Sequence, residues 1–404
     1  MTVRHIITVA LLAVLLTACA GPAEPTGPPT ITPVIPLPGT TQPPAVDPGA
    51  APVATQPPAV EATPTPATIG PETYPEGVNP LTGLAVPDPA VLERRPLLVK
   101  VSNESDQVRP WSGLAFADHV WEYQMEGFAA TRFTAVLYSQ TPERIGSVRS
   151  TRLIDVEHLV DMYGGLLATS GGSSNRSAGG PPRIRELLLA APWSERVISM
   201  DYGFGDPYLV RIPDIPRPGI FSWHTLFAVP QAIWDYAAQE GLNQRQPLTG
   251  LAFSETPPPG GVATAEAIVD YPGSGPKHTW RYNATTGRWE SLTNDVPDGD
   301  MLLPEGQPLA FDNIVIVHAP HYEADFIEDE NAQLLSVGVN LIGEGSAVLL
   351  RDGLRYDVTW RRSAPEQMMQ FFDASGNVIP FKPGQTWFNV ASSNIFPPEV
   401  TFTP

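Results

Sequence analysis

His119-Val120-Trp121-Glu122-Tyr123 and, shortly after, Arg132-Phe133-Thr134-Ala135-Val136-Leu137-Tyr138 decide how this chain folds. Both stretches alternate in polarity with a period of two and are rich in aromatic and β-branched residues, so both read as strands. Upstream, Leu97-Leu98-Val99-Lys100-Val101 has the pattern of a short buried strand. Downstream, residues 151–162 place Leu153, Ile154, Val156, Leu159 and Val160 at helical spacing, and 164–169 reads as a strand leaving that helix. Residues 183–191 form an expected helix that Pro192 ends. Another spans 230–240, with proline in its first turn and Gly241 behind it. Strands and helices mix without strict alternation, which predicts a mixed α/β unit over 78–250.

After Pro257-Pro258-Pro259-Gly260-Gly261 the texture changes. Residues 265–271, 279–282 and 288–292 read as short strands, the last two joined by the hairpin-type loop Asn283-Ala284-Thr285-Thr286-Gly287. Four more follow at 313–318, 334–342, 346–350 and 354–361, with Asp352-Gly353 as a hairpin turn between the last two. Residues 251–404 are expected to be mostly β. The fold class is α+β, a mixed unit followed by a β-rich one.

The amino terminus reads as an address. Arg4 and His5 precede an apolar run over 6–16, about half the length a bilayer span needs. It ends in Leu16-Thr17-Ala18-Cys19, the pattern of a bacterial lipobox with Cys19 as the lipidated residue. Residues 1–18 are the expected signal peptide, and multi-chain acylation at Cys19 gives stable membrane anchoring. Between Cys19 and residue 77 lie 17 of the chain's 47 prolines and no Lys or Arg. Such a segment cannot build a core and acts as a disordered, semi-rigid tether. With a formal net charge of -19 the chain lacks the basic stripe a nucleic-acid binder needs. A single cysteine excludes an internal disulfide framework and a cysteine-based zinc site.

Several motifs together resemble a known family. Asn79-Pro80-Leu81-Thr82-Gly83, Arg109-Pro110-Trp111-Ser112-Gly113-Leu114, Ala117-Asp118-His119-Val120-Trp121-Glu122 and 144–152 carry the amino-terminal half of the likeness. Residues 312–317, Gly343-Glu344-Gly345-Ser346-Ala347, Arg351-Asp352-Gly353 and Pro383-Gly384-Gln385-Thr386-Trp387 carry the rest. The chain resembles the YerB-type bacterial lipoproteins, domain of unknown function 3048. The resemblance implies an extracytoplasmic lipoprotein in the bacterial envelope and no reaction. Ser147 stands where that family usually has proline, and Trp111 where it has a polar residue.

The candidate site follows from side-chain chemistry. An acidic chain gathers Arg109, Arg132, Arg144, Arg149 and Arg152 in one unit. Arg149 and Arg152 straddle Ser150 and Thr151 at an expected helix start, where capping, free N–H groups and the helix dipole favour an anion. Guanidinium forks hold phosphate or carboxylate in pairs of bonds. Arg109, Arg132, Arg149, Ser150, Arg152 and His224 are therefore the expected anion ligands. The competing reading pairs the arginines internally with Asp118, Glu122, Glu126 and Asp155. Asp118 and Glu122 are also the carboxylates available as a base. Gly171-Gly172-Ser173-Ser174-Asn175 offers backbone N–H groups without a P-loop lysine, and Arg176 follows it. His318 and His321, near Glu323 and Asp325, carry metal-ligand chemistry at a loop spacing. Asp295, Asp298 and Asp300 lack the EF-hand order. No metal or other cofactor is expected.

The leading expectation is a lipid-anchored protein that binds an anionic envelope component. An envelope enzyme acting on phosphate or glycosidic links is the second reading, with arginines as stabilisers and Asp118 or Glu122 as base. A scaffold for an envelope protein is the third. The chain has no Gly-x-Ser-x-Gly elbow, His-Glu-x-x-His, Walker motif or catalytic cysteine.

Overall fold

The computed structural model describes residues 68–404 apart from 105, 129, 176–179 and 218. The signal sequence, Cys19, the tether up to residue 67, and Arg176 lie outside the described residues. The described residues belong to one compact unit. The fold is α+β, with a mixed sheet in the amino-terminal part and antiparallel sheets in the carboxy-terminal part.

An 11-stranded sheet runs through the unit. Its amino-terminal half is built on the two deciding stretches. His119–Gln124 pairs antiparallel with Thr131–Leu137, which pairs antiparallel with Leu97–Ser102. Leu166–Thr169 and Val197–Ser199 extend this edge in parallel. The strand Thr386–Ser392, near the end of the chain, then lies parallel between His119–Gln124 and Asn313–Ala319. Beyond it come Gly343–Arg351 and Leu354–Arg362, joined by the Asp352-Gly353 turn with both residues at positive φ, as a type I′ hairpin requires. Strands from before and after residue 250 thus share one sheet.

Burial explains the side-chain pattern. All six residues of His119–Gln124 are buried, because the sheet is covered on both faces. One face carries Trp121 and Tyr123 against the helical run 153–163 and the helix Ile184–Ala190. The other carries Val120, Phe133 and Trp387 against the helix Pro230–Gln239 and a second, antiparallel sheet that includes Lys277–Asn283 and Arg288–Thr293. Trp387 meets Phe133, Trp280 and Phe311 at ring centroids of 4.8, 5.3 and 5.2 Å. Trp121 stacks on Phe388 at 4.2 Å.

Gly113, from the motif that begins at Arg109, sits at φ +82°, and a Cβ there would lie 2.2 Å from the Arg144 carbonyl oxygen. Only glycine lets this loop lie against residues 144–146. Those residues enter a small sheet in which Leu226–Ala228 pairs with both Ile145–Gly146 and Leu209–Arg211. The helix expected over 151–162 runs from 153 to 163, with a π-helical turn at Asp155–Leu159. Its first N–H groups are not capped by Ser150 or Thr151. The Thr151 hydroxyl donates to Thr169, and the Asp155 carboxylate accepts from the Arg152 backbone at 2.8 Å.

Trp387 joins the two halves, packing against Phe133 from the first and Trp280 and Phe311 from the second. Trp387→Ala is expected to lower unfolding free energy by about 3–5 kcal/mol in urea denaturation. A loss under about 1 kcal/mol would show that this strand does not hold the sheet together.

Candidate functional site

The expected site residues fall into two groups. Asp118, Glu122 and Arg109 belong to the interior. Asp118 is fully buried and accepts from the Tyr138 and Ser139 backbone, the Ser139 hydroxyl and Asn79. Burial raises its pKa, and these four donors oppose that rise. Its oxygens secure the start of one strand against the loop at Asn79, which leaves none for a substrate.

Glu122 anchors a ring of polar groups inside the sheet layers. Its carboxylate accepts from His278 Nδ1 at 2.6 Å, Asn389 at 2.7 Å and Thr131 at 2.8 Å. His278 Nε2 contacts the Ser291 hydroxyl at 2.9 Å, which donates to Asp298 at 2.6 Å. Arg109 Nε donates to Asp298 at 3.2 Å, and its Nη2 donates to Asn103, which lies against Glu122 and closes the circuit. Carboxylate, imidazole and hydroxyl stand here in the order of a hydrolytic triad. Ser291 is 0% exposed and gives its proton to Asp298, so the arrangement is a buried structural network.

The second group lies at an open cleft of about 410 Å³ lined by Arg149, Ser150, Arg152 and Arg183, by Gly172-Ser173-Ser174, and by Glu126, Glu328 and Glu330. Arg152 is held in its wall. Its Nε and Nη2 donate to both oxygens of Glu126 at 2.7 and 2.6 Å, and Nη1 lies 3.3 Å from Glu328. Burial pushes Glu126 up, but the Arg152 charge outweighs it and brings its pKa down to about 2. Burial raises Glu328 despite the same arginine. Arg132 lies buried behind the cleft, and its Nη1 donates to the Ser150 carbonyl at 3.3 Å. Burial and the neighbouring charges of Arg152 and Arg149 lower its pKa to about 9.

Arg149 and Arg183 are the less buried arginines of the cleft, with side chains 23% and 17% exposed against 9% for Arg152. Arg149 pairs with Glu104 at 3.0 Å, and Arg183 with Glu330 at 2.8 Å; the two acidic side chains are 45% and 44% exposed. His224 is buried away from the cleft lining, with its Nδ1 enclosed and lacking a hydrogen-bond partner. Its pKa is lowered by burial and then by Arg149. Arg144 pairs with its neighbour Glu143. Arg152 thus makes the internal pair with Glu126, whereas Arg149 lines the open cleft and pairs with Glu104.

Arg183, Glu328 and Glu330 are among the cleft residues not singled out from the sequence. The two acids come from the hairpin of His321–Asp329 and Leu334–Val339, far along the chain, and no local pattern marks them. The Gly171–Asn175 loop did carry a signal and lies at the cleft. Of the side chains with metal-ligand chemistry, His321 is buried with Nδ1 against the Ala319 carbonyl. Asp300 accepts from the backbone of Gly113, Ala115 and Leu302.

This sheet and its two-part motif set define a class. Residues 81–243 match the family described as Protein of unknown function (DUF3048) N-terminal domain, and 267–388 match its C-terminal domain. The chain belongs to this family. It is similar to the candidate lipoprotein YerB of Bacillus subtilis (strain 168), at 29% identity over 322 residues, 79% of this chain and 88% of that protein. The crystal structure of the Bacillus subtilis YerB protein matches with a TM-score of 0.62 and 26% identity, covering 80% of this chain and 99% of that one.

Removing either side of the buried Glu122–His278 pair leaves the other uncompensated. Glu122→Ala is expected to cost about 3–5 kcal/mol by urea denaturation, and a cost near zero would mean the network is slack. Burial also holds His119, His158 and His321 down at about 4. Below their ordinary value near 6.5 the unfolded chain binds protons that the native chain refuses, so stability falls as pH drops from about 6.5 to about 4. The ionised Glu126 adds stability that is complete above its ordinary value near 4.5 and is lost toward pH 2. Denaturation midpoints measured from pH 7 to pH 3 should fall as the pH drops through about 6.5; a level profile down to pH 4 contradicts the buried neutral histidines.

Proposed function

We propose that this chain is a lipid-anchored, extracytoplasmic protein of the bacterial cell envelope that binds an anionic envelope component through the cleft at Arg149 and Arg183. The anchor reading rests on Leu16-Thr17-Ala18-Cys19 and on similarity to a relative named as a lipoprotein. Among the described residues no helix is long and apolar enough to cross a membrane. In this reading, lipid on Cys19 and the tether position the folded unit outside the cytoplasm.

The observation that carries the ligand reading is the difference between the cleft's arginines. Arg152 is saturated by two acids, Glu126 and Glu328, with side chains 12% and 3% exposed, and stays in the wall. Arg149 and Arg183 have exposed acidic partners. Exposed pairs are worth about 0–1 kcal/mol, so a phosphate or carboxylate can displace Glu104 and Glu330 at small cost. The incoming anion gains charge-assisted bonds from two guanidinium groups, and the hydroxyls of Ser150 and Ser174 lie in the same cleft. Asp118 and Glu122, the carboxylates an enzymatic reading needs, are enclosed and fully engaged, which supports binding over turnover.

The test is calorimetric titration of the full-length chain in mild detergent with poly(glycerol phosphate) and with inorganic phosphate. Arg149→Ala and Arg183→Ala should each weaken binding roughly tenfold or more with the melting temperature unchanged. Unaltered affinity in the double variant overturns the proposal.

A further inference from the structure

Two large aromatic side chains stand in the open on a loop that is hydrogen-bonded to the segment leading into Arg149. Phe221 and Trp223 are 49% and 46% exposed, and their rings stack on each other at 4.4 Å with 17° between planes. The loop that carries them spans the strands Leu209–Arg211 and Leu226–Ala228, and its base is clamped. Arg217 donates from Nε and Nη2 to the Pro110 carbonyl and from Nη1 to the Ser147 hydroxyl. Arg211 donates to the Ser222 carbonyl at 2.7 Å, and the Phe221 amide donates to Gln107 at 3.0 Å. These bonds fix a flat aromatic surface before any ligand arrives, which lowers the ordering cost of binding.

The same loop is tied to the cleft. The Val148 amide donates to the Leu226 carbonyl at 2.7 Å, and the Ser147 hydroxyl donates to the His224 carbonyl. The Trp223 ring lies 6.0 Å from the His224 ring, which feels the charge of Arg149. Arg149 lines the cleft.

We propose that the Phe221–Trp223 stack is a sugar-binding subsite, and that the ligand of the neighbouring cleft is a glycan chain bearing anionic groups. The proposal rests on the envelope-ligand reading and extends it to a substrate class. Aromatic faces carry partial negative charge and pack against the weakly positive C–H faces of pyranose rings. The exposed parts of the two rings amount to roughly 200 Å². A protein partner needs about 800 Å² on each side, far more than these two side chains offer, whereas their area matches one or two sugar rings.

The full-length chain in mild detergent is titrated with tetra-N-acetylchitotetraose, a neutral β-1,4-linked oligomer, and separately with poly(glycerol phosphate). The wild-type chain should bind the tetramer. Phe221→Ala and Trp223→Ala should each weaken that binding about tenfold, Trp223→Tyr should retain it, and all three should bind the polyphosphate as the wild type does. Loss of polyphosphate binding confined to the Arg149 and Arg183 variants reads the cleft separately, so the two proposals fail independently. No tetramer binding by the wild type, or equal binding by the Phe221→Ala/Trp223→Ala double variant, overturns the sugar subsite. So does quenching of Trp223 by brominated lipid when the chain is placed in vesicles, because the stack would then be seated in the bilayer.

Discussion

A carboxylate buried between two layers governs how this molecule is put together. Glu122 lies in the middle of a strand that is covered on both faces. Leaving its charge uncompensated there would cost several kcal/mol. Its partners come from both parts of the chain: Asn103 and Thr131 from the first, and His278 and Asn389 from the second. The parallel register that sets Asn389 opposite Glu122 also sets Trp387 opposite Val120, so polar satisfaction and aromatic packing select the same alignment. A slip of one residue would carry Asn389 away from the carboxylate and turn Trp387 out of its layer.

Much of the fold was legible because periodicity and turn chemistry are local. The alternation at 119–123 and 132–138, the proline-led helix at 230 and the Asp352-Gly353 hairpin all announce themselves within a few residues. Sheet order is not local. Nothing in Thr386-Trp387-Phe388-Asn389-Val390 says that it lies between two strands remote in sequence, since a fully buried parallel strand lacks the alternation that would reveal its faces. The π-helical turn and the Asp155 cap were also hidden, because Asp155 serves Lys100, Thr134 and the Arg152 amide together.

The arginines show the same division. Their clustering was readable, but which of them are consumed by the fold depends on acids elsewhere. Arg109 is taken by Asp298 and Arg152 by Glu126 and Glu328, whereas Arg149 and Arg183 keep partners that water already reaches. The difference is one of dielectric surroundings: an enclosed pair is part of the framework, and an exposed one can be traded for a ligand. The cleft's identity therefore depends on a hairpin whose own sequence gives no hint of it.

The late placement of the strand Thr386–Ser392 has a consequence for biogenesis. It fills the gap between His119–Gln124 and Asn313–Ala319, so neither of those strands has both neighbours until residues 386–392 are available. A nascent or translocating chain, emerging from its amino end, must carry two unpaired apolar edges in the meantime. Such edges recruit other chains. Assembly of the sheet is thus a long-range closure that waits for residues 386–392.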